Sequence, residues 1–86
     1  MLVSYSRTFK KMFKKLPSGV QNKFEERLFL FTQDTHHPVL RNHPLNGEWF
    51  GGRSINITGD FRAVFEEIGD GCYEFVAIGT HSELYS

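Results

Sequence analysis

Apolar residues recur along the chain with two different periods, and the change of period divides it. In the first third the spacing is helical. Phe9, Met12, Phe13 and Leu16 fall at i, i+3, i+4 and i+7, and Val20, Phe24, Leu28 and Phe31 make a second stripe that Phe29 and Leu30 widen. Leu2 to Tyr5, short and apolar, reads as a strand ahead of them, and Ser6 or Thr8 is placed to cap the first helix. Pro17 ends that helix. Ser18 and Gln21 have the spacing of a capping box, Ser18 as N-cap, which opens a second helix running to about Gln33. From Arg53 onward the period is two. Arg53 to Ile57, Phe61 to Glu67 and Tyr73 to Ile78 are β-rich runs separated by Thr58-Gly59-Asp60 and Gly69-Asp70-Gly71, the pattern of an antiparallel meander. Alternation places Phe61, Ala63 and Phe65 on one face and Arg62, Val64 and Glu66 on the other. In the last strand it sets Tyr73, Phe75, Ala77 and Gly79 against Glu74, Val76 and Ile78.

Two amphipathic helices must bury their stripes on something, and the meander is the available partner. The expected fold is therefore α+β: one small domain over residues 1–86, with an N-terminal strand and a two-helix hairpin packed on an antiparallel sheet that ends in a three-stranded meander. Eighty-six residues, 40% of them hydrophobic and nine of them Phe, suffice for one compact core. The single cysteine, Cys72, leaves no internal disulfide and no cysteine-based zinc site, and its place at a strand start suits a small half-buried side chain. The N-terminal MLVSYSRTFKK has no apolar signal region and no run approaches a membrane span, so a soluble, cytoplasmic protein is expected, with no membrane partner.

Ten basic and ten acidic residues cancel, which argues against a dedicated nucleic-acid coat protein. The distribution is less even. Lys10, Lys11, Lys14 and Lys15 crowd the first helix, and Arg41 and Arg53 flank the start of the meander, so local patches can still face phosphate. The lysines read equally as a solvated helix face. Asp34 to Pro44 is a polar linker holding three of the four histidines. His36 and His37 lack the further ligands that a metal needs and read as loop residues; no metal or cofactor is expected. Trp49 is a core residue or a base-stacking platform, the core being favoured. Polar residues with usable chemistry gather at the ends of the meander: His43, Asp60, Arg62 and His81. Taken singly, a turn aspartate usually serves its own backbone and a histidine after a strand is usually idle.

The β-α-α-β-β-β order, with HPLNGEWFGGR in the middle and GTHSELY at the end, resembles the RelE-type toxins of bacterial type II toxin–antitoxin modules, above all the YafQ-like branch. The resemblance covers the whole chain by element order and is specific in those two strings. It implies a ribosome-dependent mRNA endonuclease, kept inactive by a cognate antitoxin and meeting DNA only through that antitoxin. Such cleavage needs no metal: the 2′-OH attacks the neighbouring phosphorus, with one group as base, another as acid, and positive charge on the phosphorane. Histidine titrates near neutrality and suits the proton transfers, while arginine suits the charge. By position, His43, Asp60, Arg62, His81 and Tyr85 match the family's active-site residues. His81 is the expected acid, His43 or Asp60 the base, Arg62 the phosphate ligand, and Tyr85 the aromatic group that stacks on or orients a base. Arg41, Arg53 and the four lysines Lys10, Lys11, Lys14 and Lys15 are the expected contacts to RNA.

Two positions depart from the branch. Asn56 stands where it has a histidine, and Ala77 stands where it has an arginine. Either Arg53 or Arg62 then supplies the missing cation, or the enzyme is slow. The same departures keep open a degenerate toxin that acts only as an antitoxin-bound regulatory subunit, and the scaffold itself is also used by ParE-like gyrase inhibitors without catalysis.

Overall fold

A computed structural model describes residues 1–85; Ser86, the last residue of the expected domain, lies outside them. Strand β1 (Leu2–Tyr5) leads into helices α1 (Arg7–Lys14) and α2 (Ser18–Gln33). A short strand β2 (His43–Pro44) and the meander β3 (Arg53–Thr58), β4 (Phe61–Gly69) and β5 (Cys72–Thr80) follow, and a one-turn helix α3 (His81–Tyr85) ends the described chain. The five strands form one sheet in the order β1-β5-β4-β3-β2. All neighbours are antiparallel except β1, which runs parallel to β5 after the helical crossover.

Ser6 is the cap of α1, its hydroxyl accepting from the Phe9 N–H at 3.0 Å. The expected capping box at α2 does not form. Ser18 is already helical, Pro17 occupies the N-cap position without a side-chain bond, and Gln21 donates instead to the Phe13 carbonyl at 2.8 Å. Pro17 has the fixed φ that helix entry needs, so the side-chain cap is dispensable and Gln21 is free to tie α2 to α1.

The helices cover one face of the sheet. Phe9, Phe24, Phe31, Phe65 and Phe75 interlock there, with Ile55, Ile57, Ala63 and Ile78 beneath. Ring edges meet ring faces, as the aromatic quadrupole prefers: Phe24 and Phe75 lie 5.4 Å apart at 90°, and Phe31 and Phe65 4.9 Å apart at 75°. Phe29, expected to widen the α2 stripe, is instead 64% exposed, because the sheet is reached by Phe24, Phe31 and the partly buried Leu28 and Leu30.

Three register shifts interrupt the simple alternation, and two of them bear on the site. Val64 pairs with Ala77 but Phe65 pairs with Phe75, so Val76 is an extra residue in β5. Phe75 and Ile78 consequently share the helix-covered face, and Ala77 is moved to the opposite face, against the two-residue period read from the sequence. Ile57 is the extra residue in β3, and its carbonyl accepts from Arg27 Nε of α2 at 3.1 Å.

Candidate functional site

The face of the sheet away from α2 carries the site, and Met12 of α1 reaches that face beside Gly79 and packs with Val64, Ala77 and Leu84. Directly paired residues share a face, and register gives two rows across it. The first runs His43, Ser54, Val64, Ala77; the second, two residues further along, runs Asn56, Arg62, Gly79. Strands are about 4.8 Å apart and alternate residues about 6.8 Å, so Arg62 stands near the middle of a patch about 14 Å wide. Over the first row, Leu84 of α3 packs on Val64 and Ala77, with Trp49, Leu45 and Tyr85 around it. Ser54 is fully buried in that row and its hydroxyl has no partner among the described residues.

His43 sits at the sheet margin, exposed, with Nδ1 2.7 Å from the carbonyl oxygen of Arg41. A carbonyl can only accept, so Nδ1 carries a proton, and in the neutral form of the ring the lone pair is at Nε2. Arg41 makes this possible by adopting a left-handed backbone (φ 48°) that turns its carbonyl to the imidazole. Its own guanidinium is on an exposed residue.

At the other margin His81 opens α3. Its N–H donates to the Asp60 carbonyl at 3.0 Å, which binds the start of α3 to the β3–β4 turn and brings Asp60 and His81 together through the backbone. The Asp60 side chain is exposed. The His81 ring lies edge-to-face with Tyr85, centroids 4.7 Å apart. The Tyr85 hydroxyl is buried and has no partner among the described residues, so the group that Tyr85 offers to the site is its ring. Arg62 Nη1 donates to the carbonyls of Gly59 and Phe61, at 3.0 and 3.2 Å, and is folded onto the same turn.

Other expected residues are placed elsewhere. Arg53 pairs with Phe65, so its side chain leaves from the helix-covered face; its Nε donates to Asn42 Oδ1 at 2.7 Å, and Asn42 in turn holds the Thr35 carbonyl. Arg53 and Arg62 are thus separated by the sheet, and Arg62 is the arginine that shares a face with Asn56 and Ala77. The lysines of α1 split, as residues about 100° apart per step must. Lys10 and Lys14 flank an apolar groove of about 350 Å³ floored by Tyr5, Phe9, Phe13 and Phe24, where burial and then the nearby Glu25 raise the Tyr5 pKa. Lys15 borders a different cleft of about 540 Å³, shared with Phe61, Thr80 and Glu83 at the edge of the site. His36 and His37 make local bonds, to Thr35 Oγ1 and from the Val39 N–H, consistent with loop roles. Trp49 donates Nε1–H to the Leu84 carbonyl at 2.7 Å and packs with Leu84, which makes it part of the second core.

One contributor was not among the expected site residues. Thr80 N–H donates to Glu83 Oε1 at 2.7 Å, and Glu83 N–H donates to Thr80 Oγ1 at 3.2 Å. This is a reciprocal capping box, which the Thr80-His81-Ser82-Glu83 spacing is sufficient to signal. The bonds from Thr80, its backbone N–H first, lower the Glu83 pKa.

The architecture and sequence have known counterparts. No curated protein sequence matches the chain. Among solved structures, that of YafQ from E. coli strain BL21(DE3) is 25% identical, superposes with a TM-score of 0.81, and covers 98% of this chain and 97% of its own. The E. coli DinJ-YafQ toxin-antitoxin complex gives a chain 26% identical with a TM-score of 0.78, over 98% and 96% of the two chains. A YoeB/ParE toxin from Agrobacterium tumefaciens, at 18% identity, shares the fold with a TM-score of 0.77 over 94% and 99%. A sequence profile described as the bacterial toxin of type II toxin–antitoxin system, YafQ, matches residues 1–86 from end to end, and the chain belongs to that family of toxins.

Proposed function

We propose that this toxin is a ribosome-dependent mRNA endonuclease that cleaves by 2′-OH attack. The observation that carries the reading is the His43 imidazole, whose Nδ1 is occupied by the Arg41 carbonyl and whose Nε2 is left as a base on the face that holds Arg62. His43 takes the 2′-OH proton as O2′ bonds to phosphorus. Arg62 stabilises the phosphorane, and His81 gives a proton to O5′ as the P–O5′ bond breaks. The products are a 2′,3′-cyclic phosphate and a 5′-OH, with no net change in protons. Asp60 carries His81 on its carbonyl and leaves its exposed carboxylate to the same margin. Asn56 holds its place in the Arg62 row as a hydrogen-bonding group without acid–base capacity, so the two histidines share that work. The partners are the ribosome with its mRNA and, by analogy with the DinJ-YafQ complex, a cognate antitoxin; the setting is the cytoplasm.

Substituting His81→Gln tests the reading. It removes the proton donor from an exposed ring and leaves the Asp60–His81 backbone bond intact. Cleavage of ribosome-bound mRNA, followed by primer extension, is expected to be lost while the thermal transition stays within a few degrees of wild type. A variant that cuts at the wild-type rate refutes the assignment of the acid.

A further inference from the structure

The capping box at the end of β5 sits next to the proposed acid, and among the described residues it is what fixes the start of α3 through side chains. A five-residue helix cannot sustain itself, since nucleation costs more than one turn returns. What orients His81 must therefore come from its anchors. The Asp60 carbonyl holds the His81 N–H, and Trp49 holds the Leu84 carbonyl at the far end. Between them Glu83 reaches back to the Thr80 N–H at 2.7 Å, and Thr80 Oγ1 holds the Glu83 N–H at 3.2 Å. The backbone of β5 is shaped to admit that carboxylate. A Cβ on Gly79 would lie 2.9 Å from Glu83 Oε1, 3.4 Å from Met12 Cε and 3.5 Å from Glu83 Cβ, so an added methyl would push the carboxylate off the seat that the glycine leaves open.

We propose that Glu83 is a positioning residue: its carboxylate, seated over Gly79 and bonded to Thr80, sets the first turn of α3 and so holds the His81 ring against Tyr85 at the angle from which it acts. The inference rests on the ribonuclease reading of His81. Glu83 does not touch the reacting atoms in this scheme; it acts through Thr80 and His81.

Three variants of the full chain test it: Glu83→Ala, which removes the acceptor; Glu83→Gln, which keeps one, because glutamine also closes capping boxes; and Gly79→Ala, which keeps the carboxylate but displaces it. Two readouts are taken: the His81 ring-proton shifts, which report the edge-to-face Tyr85 ring, and single-turnover cleavage with the KM for ribosomes measured separately. Loss of a cap is expected to lower the single-turnover rate about tenfold in Glu83→Ala and in Gly79→Ala, with KM unchanged. In both, the His81 ring shifts move toward unstructured values, while Glu83→Gln stays within about twofold of wild type in rate and keeps the native shifts. Native ring shifts in Glu83→Ala overturn the proposal, whatever the rate. So does a Glu83→Gln variant as slow as Glu83→Ala with native shifts, which would make the carboxylate itself a reacting group. If wild-type protein leaves ribosome-bound mRNA uncut, the ribonuclease reading fails, and the ring shifts still decide whether Glu83 orients His81.

Discussion

Trp49 distinguishes a structural indole from a nucleobase platform, and the bond it makes allows the consequence to be sized. Its Nε1–H meets the Leu84 carbonyl at 2.7 Å, the short end of the range for such bonds, and its ring lies half-buried against a cluster in which Leu84 is 4% exposed. Trp49→Phe keeps an aromatic ring there and deletes the donor. A net hydrogen bond is worth about 1 kcal/mol, and a domain of this size loses about 4–8 °C in Tm per kcal/mol. A fall of about 5 °C is expected. Trp49→Ala also removes packing. A fully buried Trp→Ala costs about 3–5 kcal/mol, so about 2–3 kcal/mol is reasonable for this half-buried site. Since α3 depends on its anchors, about 1 kcal/mol raises its undocked fraction roughly fivefold, and amide exchange at Leu84 and Tyr85 should quicken by that factor in the Phe variant. The assays are thermal unfolding, amide exchange and mRNA binding to the toxin–ribosome complex. If both variants melt like wild type while mRNA binding drops, Trp49 is a base platform and the second-core assignment is wrong.

Removing the Arg62 guanidinium by Arg62→Ala should cost about 2.7–4 kcal/mol of transition-state stabilisation, the scale of one preorganised donor, and much less of ground-state binding; equal losses in single-turnover rate and in Kd would make it a docking residue. The lysines are expected to act as two pairs. Lys11→Gln/Lys15→Gln, the pair that includes the lysine beside Thr80 and Glu83, should raise the KM for ribosomes and flatten its salt dependence more than Lys10→Gln/Lys14→Gln, and equal effects would contradict the split. Acidification should loosen α3 through Glu83. Its folded pKa is depressed, chiefly by the Thr80 N–H, so its contribution is complete above the ordinary carboxyl range of about 4.3 and fades as pH falls through the folded value. A Trp49 indole N–H shift, which reports the bond to Leu84, that holds constant on titration from pH 6 to about 3 in wild type and matches that of Glu83→Gln would contradict this.

How far the sequence discloses the site depends on which determinants are local. The parity of β4 is readable because nothing interrupts Phe61 to Phe65, and it correctly sets Arg62 and Val64 opposite Ala63 and Phe65. The same rule fails in β5 after Phe75. A bulge there costs one residue of register and flips each later side chain, and nothing in the apolar string Phe75-Val76-Ala77-Ile78 marks which member is extra. What selects Val76 is tertiary: β1 ends beside it, where Ser6 N–H donates to the Phe75 carbonyl and Ser6 Oγ to that of Val76, 2.9 and 3.1 Å. The pairing of β1 with β5 is hidden for the same reason, since a parallel neighbour is decided by a crossover rather than by a turn. Arg53 shows the limit of proximity in sequence, for it lies one residue from Ser54 in the His43 row and yet projects through the other face.

The bulge then bears directly on the chemistry. Without the extra residue, Ala77 and Gly79 would face the helices and Ile78 would face Arg62. With it, the small residues Ala77 and Gly79 line the site face, Ala77 under Leu84 and Gly79 under the Glu83 carboxylate. Small side chains at these two positions let α3 lie close on the sheet, and that close approach is what carries His81 to the margin of the Arg62 row. The position where the related branch has an arginine is thus filled here by a residue whose smallness seats a helix. On the proposed mechanism the cation requirement falls on Arg62 from the neighbouring strand, which pairs in the sheet with Gly79.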